Sequence, residues 1–532
     1  MDHSRPGSSA LLSSVAILAL CFLAGLPTLY PRQYFLADDF GLVQHLHNLP
    51  FSRLLSYFAS DWTEGIYGMR LDELRPLLAL SYRLDAAVWG TTNSVGYHLT
   101  NVLLHALCAL LVLAIARSIA PANRWAGLVA GSLFAILPCH AEPLAWISGR
   151  VDSLATAFYL GAFLCFVRYR ARQTRTAYAA ALILFSLGLF AKQSVVTLPL
   201  LLLAFDWILT RQWKWTHHAP FFAVLLFHLG LRRALFGSAL REDSLHPGIL
   251  IQFARRQVFY VGRLLPSAAD DPRLMKFAAS LAAGIVLLLL VRWLLADRSR
   301  YAHLLRPLLF FGPVWYALTI SPMIVTYASA RHLYLTAAGF SIAAALLILP
   351  DPPGRLRSRL ALFACLLLLY GAAAIRSLQP WMENGAASAA TWSGVGAKLN
   401  AIPPGSTVFL ALPALRHQLH FADFALPFAL QPPFAKQDLY TTLTIVEENE
   451  DYCCPPPQWW ARVQPLLSSL NGSRPIYLVS ADTLSQRTLP AAELKQQIEK
   501  ALSRPLDSTI PAIEAADLDR LSKILFPATH ND

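Results

Sequence analysis

The chain has 532 residues, of which 55% are hydrophobic and only 14% charged. A soluble protein would carry roughly 25% charged residues. The formal net charge of +12 would suit nucleic acid, but the arginines fall at the ends of apolar runs rather than on one polar face. That placement excludes nucleic acid and leaves the lipid bilayer as the partner.

Long apolar runs alternating with short basic clusters predict a polytopic α-helical membrane protein. In chain order the runs centre near residues 20, 107, 130, 160, 184, 202, 226, 286, 316, 340 and 368. They make about eleven transmembrane helices, each needing about 20 residues to cross the hydrocarbon. The first, Leu11–Leu29, lacks a small-x-small cleavage site and reads as a retained helix rather than a signal peptide. Arg168, Arg170, Arg172 and Arg175 lie between two spans; Arg211 with Lys214, then Arg298, Arg300 and Arg306, then Arg355, Arg357 and Arg359 follow in later loops. Counted this way all of them share one side, which the positive-inside bias makes the cytoplasm. The opposite side receives the Pro31–Ser94 loop, the loop around His140–Arg150, the loop around Gly237–Met275 and the tail after about Arg376.

Residues 1–378 therefore read as a multi-spanning domain and 379–532 as a soluble extracytoplasmic α/β domain. In the tail, Thr407–Pro413, Tyr440–Glu447 and Pro475–Ser480 have the composition of strands bounded by Pro, Gly and Ser. Pro490–Leu502 and Ile510–Phe526 have apolar positions at helical spacing. The vicinal Cys453-Cys454 make no metal or disulfide framework.

Four groups of residues have chemistry to offer. Asp38-Asp39 follow the first span; an Asp there can cap a helix starting near Phe40, or one carboxylate can act as a base while its neighbour caps, orients or binds a metal. Adjacent side chains diverge on any regular element, so the two are not an acid/base pair on one face. The stretch from His140 and Glu142 to Arg150 and Asp152 concentrates ionisable residues at a span end, which points to function. His98, Asn101 and His105 share one face of the second span, where interhelical hydrogen bonding explains Asn101 and His105. Lys192, Arg232, Arg233, Arg331 and His332 are basic residues on the side where basic residues are unexpected. One alone would snorkel to lipid headgroups; several converging look like an anion site.

In this order the motifs resemble the GT-C membrane glycosyltransferases, closest to the protein O-mannosyltransferase-like, TMTC-type branch. The resemblance rests on Asp38-Asp39, on Tyr97-His98-Leu99-Thr100-Asn101 through His105, on His140-Ala141-Glu142 through Gly149-Arg150-Val151-Asp152, and on Arg331-His332-Leu333-Tyr334-Leu335. It covers roughly residues 10–380. Phe190-Ala191-Lys192-Gln193 departs from the family's Ser-Lys-Glu, and an α/β tail replaces the tetratricopeptide repeats.

The resemblance implies an inverting transferase that moves a mannose-like hexose from a polyprenyl-phosphate donor to a hydroxyl on a protein, glycolipid or polysaccharide. Asp38 or Asp39 would be the base. Lys192, Arg232 or Arg233, Arg331 and His332 would hold the donor phosphate. His140, Glu142, Arg150 and Asp152 would orient the acceptor or a divalent ion; Mn or Mg is compatible with such ligands, though no cofactor is required. The Arg-, Ala- and Leu-rich composition points to a bacterial plasma membrane. A transporter or flippase would need ionisable residues near the bilayer midplane and related halves, and a non-enzymatic scaffold would leave the acidic and His-x-Glu motifs unexplained.

Overall fold

The computed structural model describes residues 7–526 except 68–69, 124, 213, 240–246, 266–297, 350–355, 414, 449–455 and 507–512. The apolar segment near residue 286, Arg355 and Cys453-Cys454 lie outside the described residues. An apolar run in hydrocarbon must satisfy its backbone within itself, so it becomes a helix. Every described segment centre falls on one. Among the described residues seven helices are long and apolar enough to cross a membrane: Leu11–Leu29, Ser94–Ile119, Arg150–Arg172, Gln193–Thr210, Trp215–Phe236, Leu304–Val325 and Leu356–Asn400. The centre near 130 falls on a broken pair, Ala126–Ala135 and Pro138–Ala145, bent by 54°. The centres near 184 and 340 fall on shorter apolar helices, Arg175–Leu189 and Thr336–Ile348.

The chain divides into two compact units. The first comprises Met1–Tyr30, Leu49–Asp85 and Val95–Trp381; the second comprises Pro31–Asn48, Ala86–Ser94 and Met382–Asp532. The second thus gathers two stretches from the loop between the first two spans as well as the tail. It also takes the end of the last apolar helix, which runs on to Asn400.

In the first unit the Arg150–Arg172 helix packs against Arg175–Leu189, and Thr336–Ile348 packs against Ala126–Ala135. Phe163, Phe205, Phe310 and Trp315 are buried and meet edge-to-face or stacked, with ring centroids from 5.3 to 6.2 Å apart. Gly339 is required by close approach: a Cβ there would lie 2.4 Å from the Trp315 ring and 2.6 Å from the Phe311 carbonyl. The Arg150–Arg172 helix also sets an axis. Asp152 is in its first turn and Arg170 in its last, about 27 Å apart at 1.5 Å per residue. Arg170 Nε donates to Asp206 Oδ1 at 2.8 Å and Nη2 to the Gln212 carbonyl at 2.6 Å, so the basic end is tied to the end of the Gln193–Thr210 helix and the loop after it.

The broken helix bears directly on the site. Pro138 brings no N–H and Leu137 is extended, so the helical ladder stops there and frees carbonyls in a place where water is scarce. The polar face of the second span meets carbonyls on both sides of this break. Asn101 Nδ2 lies 3.1, 3.0 and 3.3 Å from the carbonyls of Pro143, Trp146 and Ile147. His105 Nε2 is 3.1 Å from the Ala135 carbonyl and its Nδ1 is 2.7 Å from the Tyr334 hydroxyl. Both make the hydrogen bonds between helical segments that their spacing suggested.

In the second unit four strands form one sheet in the order β4-β1-β5-β6, where β1 is Thr407–Ala411, β4 Thr444–Glu447, β5 Pro475–Ser480 and β6 Gln486–Pro490. β4 and β5 run parallel to β1, with Phe409 opposite Val446 and Leu478; β6 is antiparallel to β5. Residues Val408 to Ala411 of β1 are all buried, as expected for a central strand covered on both faces. The Pro456–Ser468, Ala491–Leu502 and Ala515–Leu525 helices contribute Trp460, Leu467, Leu494, Ile498 and Leu521 to the core. The expected strand at Tyr440–Glu447 starts later. Asp438 caps a helical turn at Leu439–Thr442, its Oδ1 accepting from the Thr441 amide at 2.9 Å, and extended structure begins at Thr444. A short hairpin, β2 (Leu415–Arg416) with β3 (Leu419–His420), is formed as well.

Candidate active site

In the first unit the loop that follows the helix break turns back on itself. Gly149 makes this turn: a Cβ there would come within 3.0 Å of the Glu142 and Trp146 carbonyls and of Pro143 Cα. The turn presents Glu142 and Asp152 to residues remote in sequence. Arg331 Nε lies 3.4 Å from Glu142 Oε1 and 3.8 Å from Asp152 Oδ2. Lys192 Nζ donates to Asp152 Oδ1. Ser329 Oγ donates to Glu142 Oε2 at 2.6 Å. The Arg331 guanidinium lies 5.0 Å from the Trp146 ring centre and also donates to the Tyr327 hydroxyl. Two cations and two carboxylates thus meet at one end of the Arg150–Arg172 helix, opposite to Arg170.

These groups remain 9 to 13% exposed, and Tyr327 beside them is exposed. Burial pushes the Lys192 ammonium below its ordinary value, against the opposing pull of Asp152. His332 is brought to the same place but in another role. Burial, with the Lys192, Arg331 and Arg256 cations, pushes its imidazolium well below the usual range, and Nδ1 is 3.3 Å from the Tyr260 hydroxyl. A neutral His332 adds no positive charge near pH 7.

Other candidates go elsewhere. Arg150 is fully buried: Nη1 binds Asp85, Nη2 donates to the Tyr97 carbonyl at 3.0 Å, and Nε donates to the Ile147 carbonyl at 3.3 Å. Its plane lies over Tyr82, 4.7 Å from the ring centre. His140 is buried among rings, with centroids 4.4 Å from Tyr334, 4.5 Å from Phe134 and 5.2 Å from His105. Neither of its ring nitrogens has a hydrogen-bond partner among the described residues. Arg232 is buried and donates to the Asp72 carbonyl at 3.1 Å and the Ala239 carbonyl at 3.2 Å, while Arg233 points outward and is exposed. Gln193, where the family has Glu, accepts from Arg75 at 3.5 Å. Among the described residues no three His, Cys, Asp or Glu side chains converge as metal ligands. Glu142 and Asp152 are already engaged by Ser329, Arg331 and Lys192, so this cluster does not fit a divalent ion.

Asp38 and Asp39 belong to the second unit. Asp39 opens the Asp39–Leu46 helix and is 1% exposed; its Oδ2 accepts from the Leu36 amide at 3.0 Å. Asp38 stands at the N-cap position without a side-chain cap bond and is half-buried. Ala37, immediately before, has φ +47° and is fully buried. A non-glycine residue in that region costs energy and is kept only where its surroundings dictate it. Here Phe35 and Phe40 dictate it, packing edge-on with Phe434, and Phe40 also meets Trp392. The pair is therefore split: Asp39 is buried and braces the turn, while Asp38 is half-buried beside it.

No family model matches the chain. Curated relatives do. Over 138 residues it is 39% identical to protein O-mannosyl-transferase Tmtc2 of Drosophila melanogaster, and over 127 residues 37% identical to Tmtc1 of the same species. Over 95 residues it is 40% identical to TMTC2 of Homo sapiens. The chain is similar to the TMTC-type protein O-mannosyltransferases. The matches take in 25% and 24% of this chain and 15% of each of the two fly proteins. Among solved structures, ArnT from Cupriavidus metallidurans bound to undecaprenyl phosphate aligns with 90% of this chain and 93% of its own, at 12% identity and a TM-score of 0.47.

Against that TMTC-type resemblance, reading the sequence missed Tyr327, Ser329 and the stacking role of Trp146. Tyr327 and Ser329 precede Arg331 by four and two residues. That local density of polar groups before a basic residue was the available signal. Asp85, the partner of Arg150, gave none, because it sits 65 positions away.

Proposed function

We propose that this protein is a membrane glycosyltransferase that moves a mannose-like hexose from a polyprenyl-phosphate donor to a hydroxyl on the extracytoplasmic face. The observation that carries the reading is the convergence of Lys192 and Arg331 at one end of the bundle, in a chain similar to protein O-mannosyltransferases. The names of those relatives favour a Ser or Thr hydroxyl of a protein as acceptor. In this reading the acceptor oxygen attacks the anomeric carbon, the bond from that carbon to the phosphate oxygen breaks, and the configuration inverts. Asp38 takes the acceptor proton. The departing lipid phosphate gathers negative charge, which Arg331 and Lys192 offset; the Arg fork suits two phosphate oxygens at once. Trp146 and Tyr327 fix the plane of that fork.

Asp38 is preferred to Asp39 as base because Asp39 is buried and spends an oxygen on the Leu36 amide. The test is sugar transfer in membranes with a polyprenyl-phosphate-mannose donor. Asp38→Asn is expected to lower the rate at least about a hundredfold, and Asp39→Asn to act mainly through stability. Full activity of both variants would remove the base assignment.

A further inference from the structure

The C-terminal part of the second unit brings an ionisable pair of its own close to the Asp38-Asp39 turn of the same unit. Within the second unit, the Ala37 amide donates to the Phe421 carbonyl at 2.8 Å. The Leu426–Ala429 turn of helix packs on the Asp39–Leu46 helix, and Gln44 Nε2 donates to Gln431 Oε1 at 3.4 Å. Residues 421–431 therefore run alongside residues 37–44, with Phe421 against the residue before Asp38. Directly before that contact stands His420, the last residue of β3.

His420 is held in place from both sides. The β2-β3 hairpin turns through His417 and Gln418, both at positive φ (+54° and +58°), which matches the twist of a two-residue hairpin. The hairpin is pinned by Asn384, whose Nδ2 donates to the Arg416 carbonyl at 3.0 Å. His420 Nδ1 and Asp423 Oδ2 are 2.6 Å apart. The Asp423 side chain is 2% exposed, and its Oδ1 has no hydrogen-bond partner among the described residues. An enclosed carboxylate is costly unless a cation or donor meets it. The imidazole supplies that donor, and the bond fixes which ring nitrogen carries the proton. The His420 side chain keeps 16% of its surface exposed. Phe424, next to Asp423, has φ +61°, so left-handed non-glycine residues stand on both of the facing stretches, at Ala37 and at Phe424. Strain of this kind persists where a geometry is being held.

We propose that His420, oriented by Asp423, is an acceptor-binding residue of the Asp38 site, so that the C-terminal domain completes the site. The inference rests on the transferase reading with Asp38 as base. The ring makes a hydrogen bond to the acceptor beside the attacking hydroxyl and holds that hydroxyl against Asp38. Asp38, not His420, receives the proton, and the donor phosphate is untouched by the pair.

The experiment uses the full chain in membranes, a polyprenyl-phosphate-mannose donor and a Thr-containing peptide as acceptor. Acceptor KM, donor KM and acceptor-independent hydrolysis of the donor are measured for H420A, H420Q, D423N, H420A/D423N and D38N. H420A is expected to raise acceptor KM about tenfold, the loss of one good hydrogen bond, with donor KM and donor hydrolysis unchanged. D423N should shift acceptor KM the same way by less, and the double variant should be no worse than H420A because the two act as one unit. If H420A does not fold, H420Q carries the same test. Unchanged acceptor KM in H420A or H420Q, with D38N inactive, overturns the proposal and keeps the base reading. An active D38N with acceptor KM still raised in H420A overturns the base and keeps His420 at the acceptor. No transfer by the unsubstituted protein overturns both.

Discussion

Arg150 and Asp152 are two positions apart in one motif, and they live in two different kinds of ion pair. Arg150 is sealed against Asp85, with side-chain exposures of 0% and 5%, and all three of its nitrogens are bound. Asp152 is shared between Lys192 and Arg331, and its Oδ2 reaches Arg331 only at 3.8 Å. The first arrangement is complete and has nothing left to offer a ligand. The second holds two cations against carboxylates without saturating them, which is what the proposed donor-phosphate role requires. A charge in a motif does structural or ligand-binding work according to whether its partners saturate it.

The comparison can be broken by substitution. The largest effect is expected at Arg150. Arg150→Ala leaves Asp85 buried without its cation, which costs about 3–5 kcal/mol; the thermal midpoint in detergent should fall and folded protein should be lost. The double variant Asp85→Leu/Arg150→Met should recover most of that stability, because two apolar groups of similar volume remove both desolvation costs. Failure of the double variant to recover would mean that Arg150 does more than offset Asp85.

Next comes Arg331. Arg331→Ala should leave the unfolding midpoint nearly unchanged but lower kcat/KM for the donor about a hundredfold, and Arg331→Lys should restore only part because the fork is lost. Unfolding of R331A as severe as that of R150A would erase the distinction between the two pairs. Lys192→Met removes a point charge from the same place and should cost about tenfold in donor kcat/KM. The smallest effect has the opposite sign. Glu142→Gln releases Arg331 from a competing carboxylate, so donor KM should fall about twofold to threefold; a rise would show that Glu142 positions Arg331 rather than competes for it.

Much of this was legible in the residues. The apolar runs marked the helices because hydrocarbon leaves the backbone one solution. Asn101 and His105 were legible as interhelical groups from their shared face, though their targets, carbonyls on either side of the break at Pro138, were not. The cluster proposed as an anion site was legible as a surplus of basic residues, but not which of them converge. Lys192 and Arg331 converge, whereas Arg232 serves the Asp72 carbonyl and His332 is held neutral. In the tail β1, β4 and β5 were found by composition and β6 and the β2-β3 hairpin were not, while the place of His420 and Asp423 beside Ala37 carried no local signal, since the contact spans the whole membrane domain in sequence.

The sequence by itself determined what short-range physics controls: which runs enter the bilayer, where the basic loops gather, and which short motifs concentrate charge. Tertiary structure decided the rest. Arg150 meets a carboxylate 65 residues away, Ser329 a carboxylate 187 residues away, and Tyr334 a histidine 229 residues away. Hydropathy depends on neighbours along the chain, but saturation of a charge depends on neighbours in space, and only the fold supplies those.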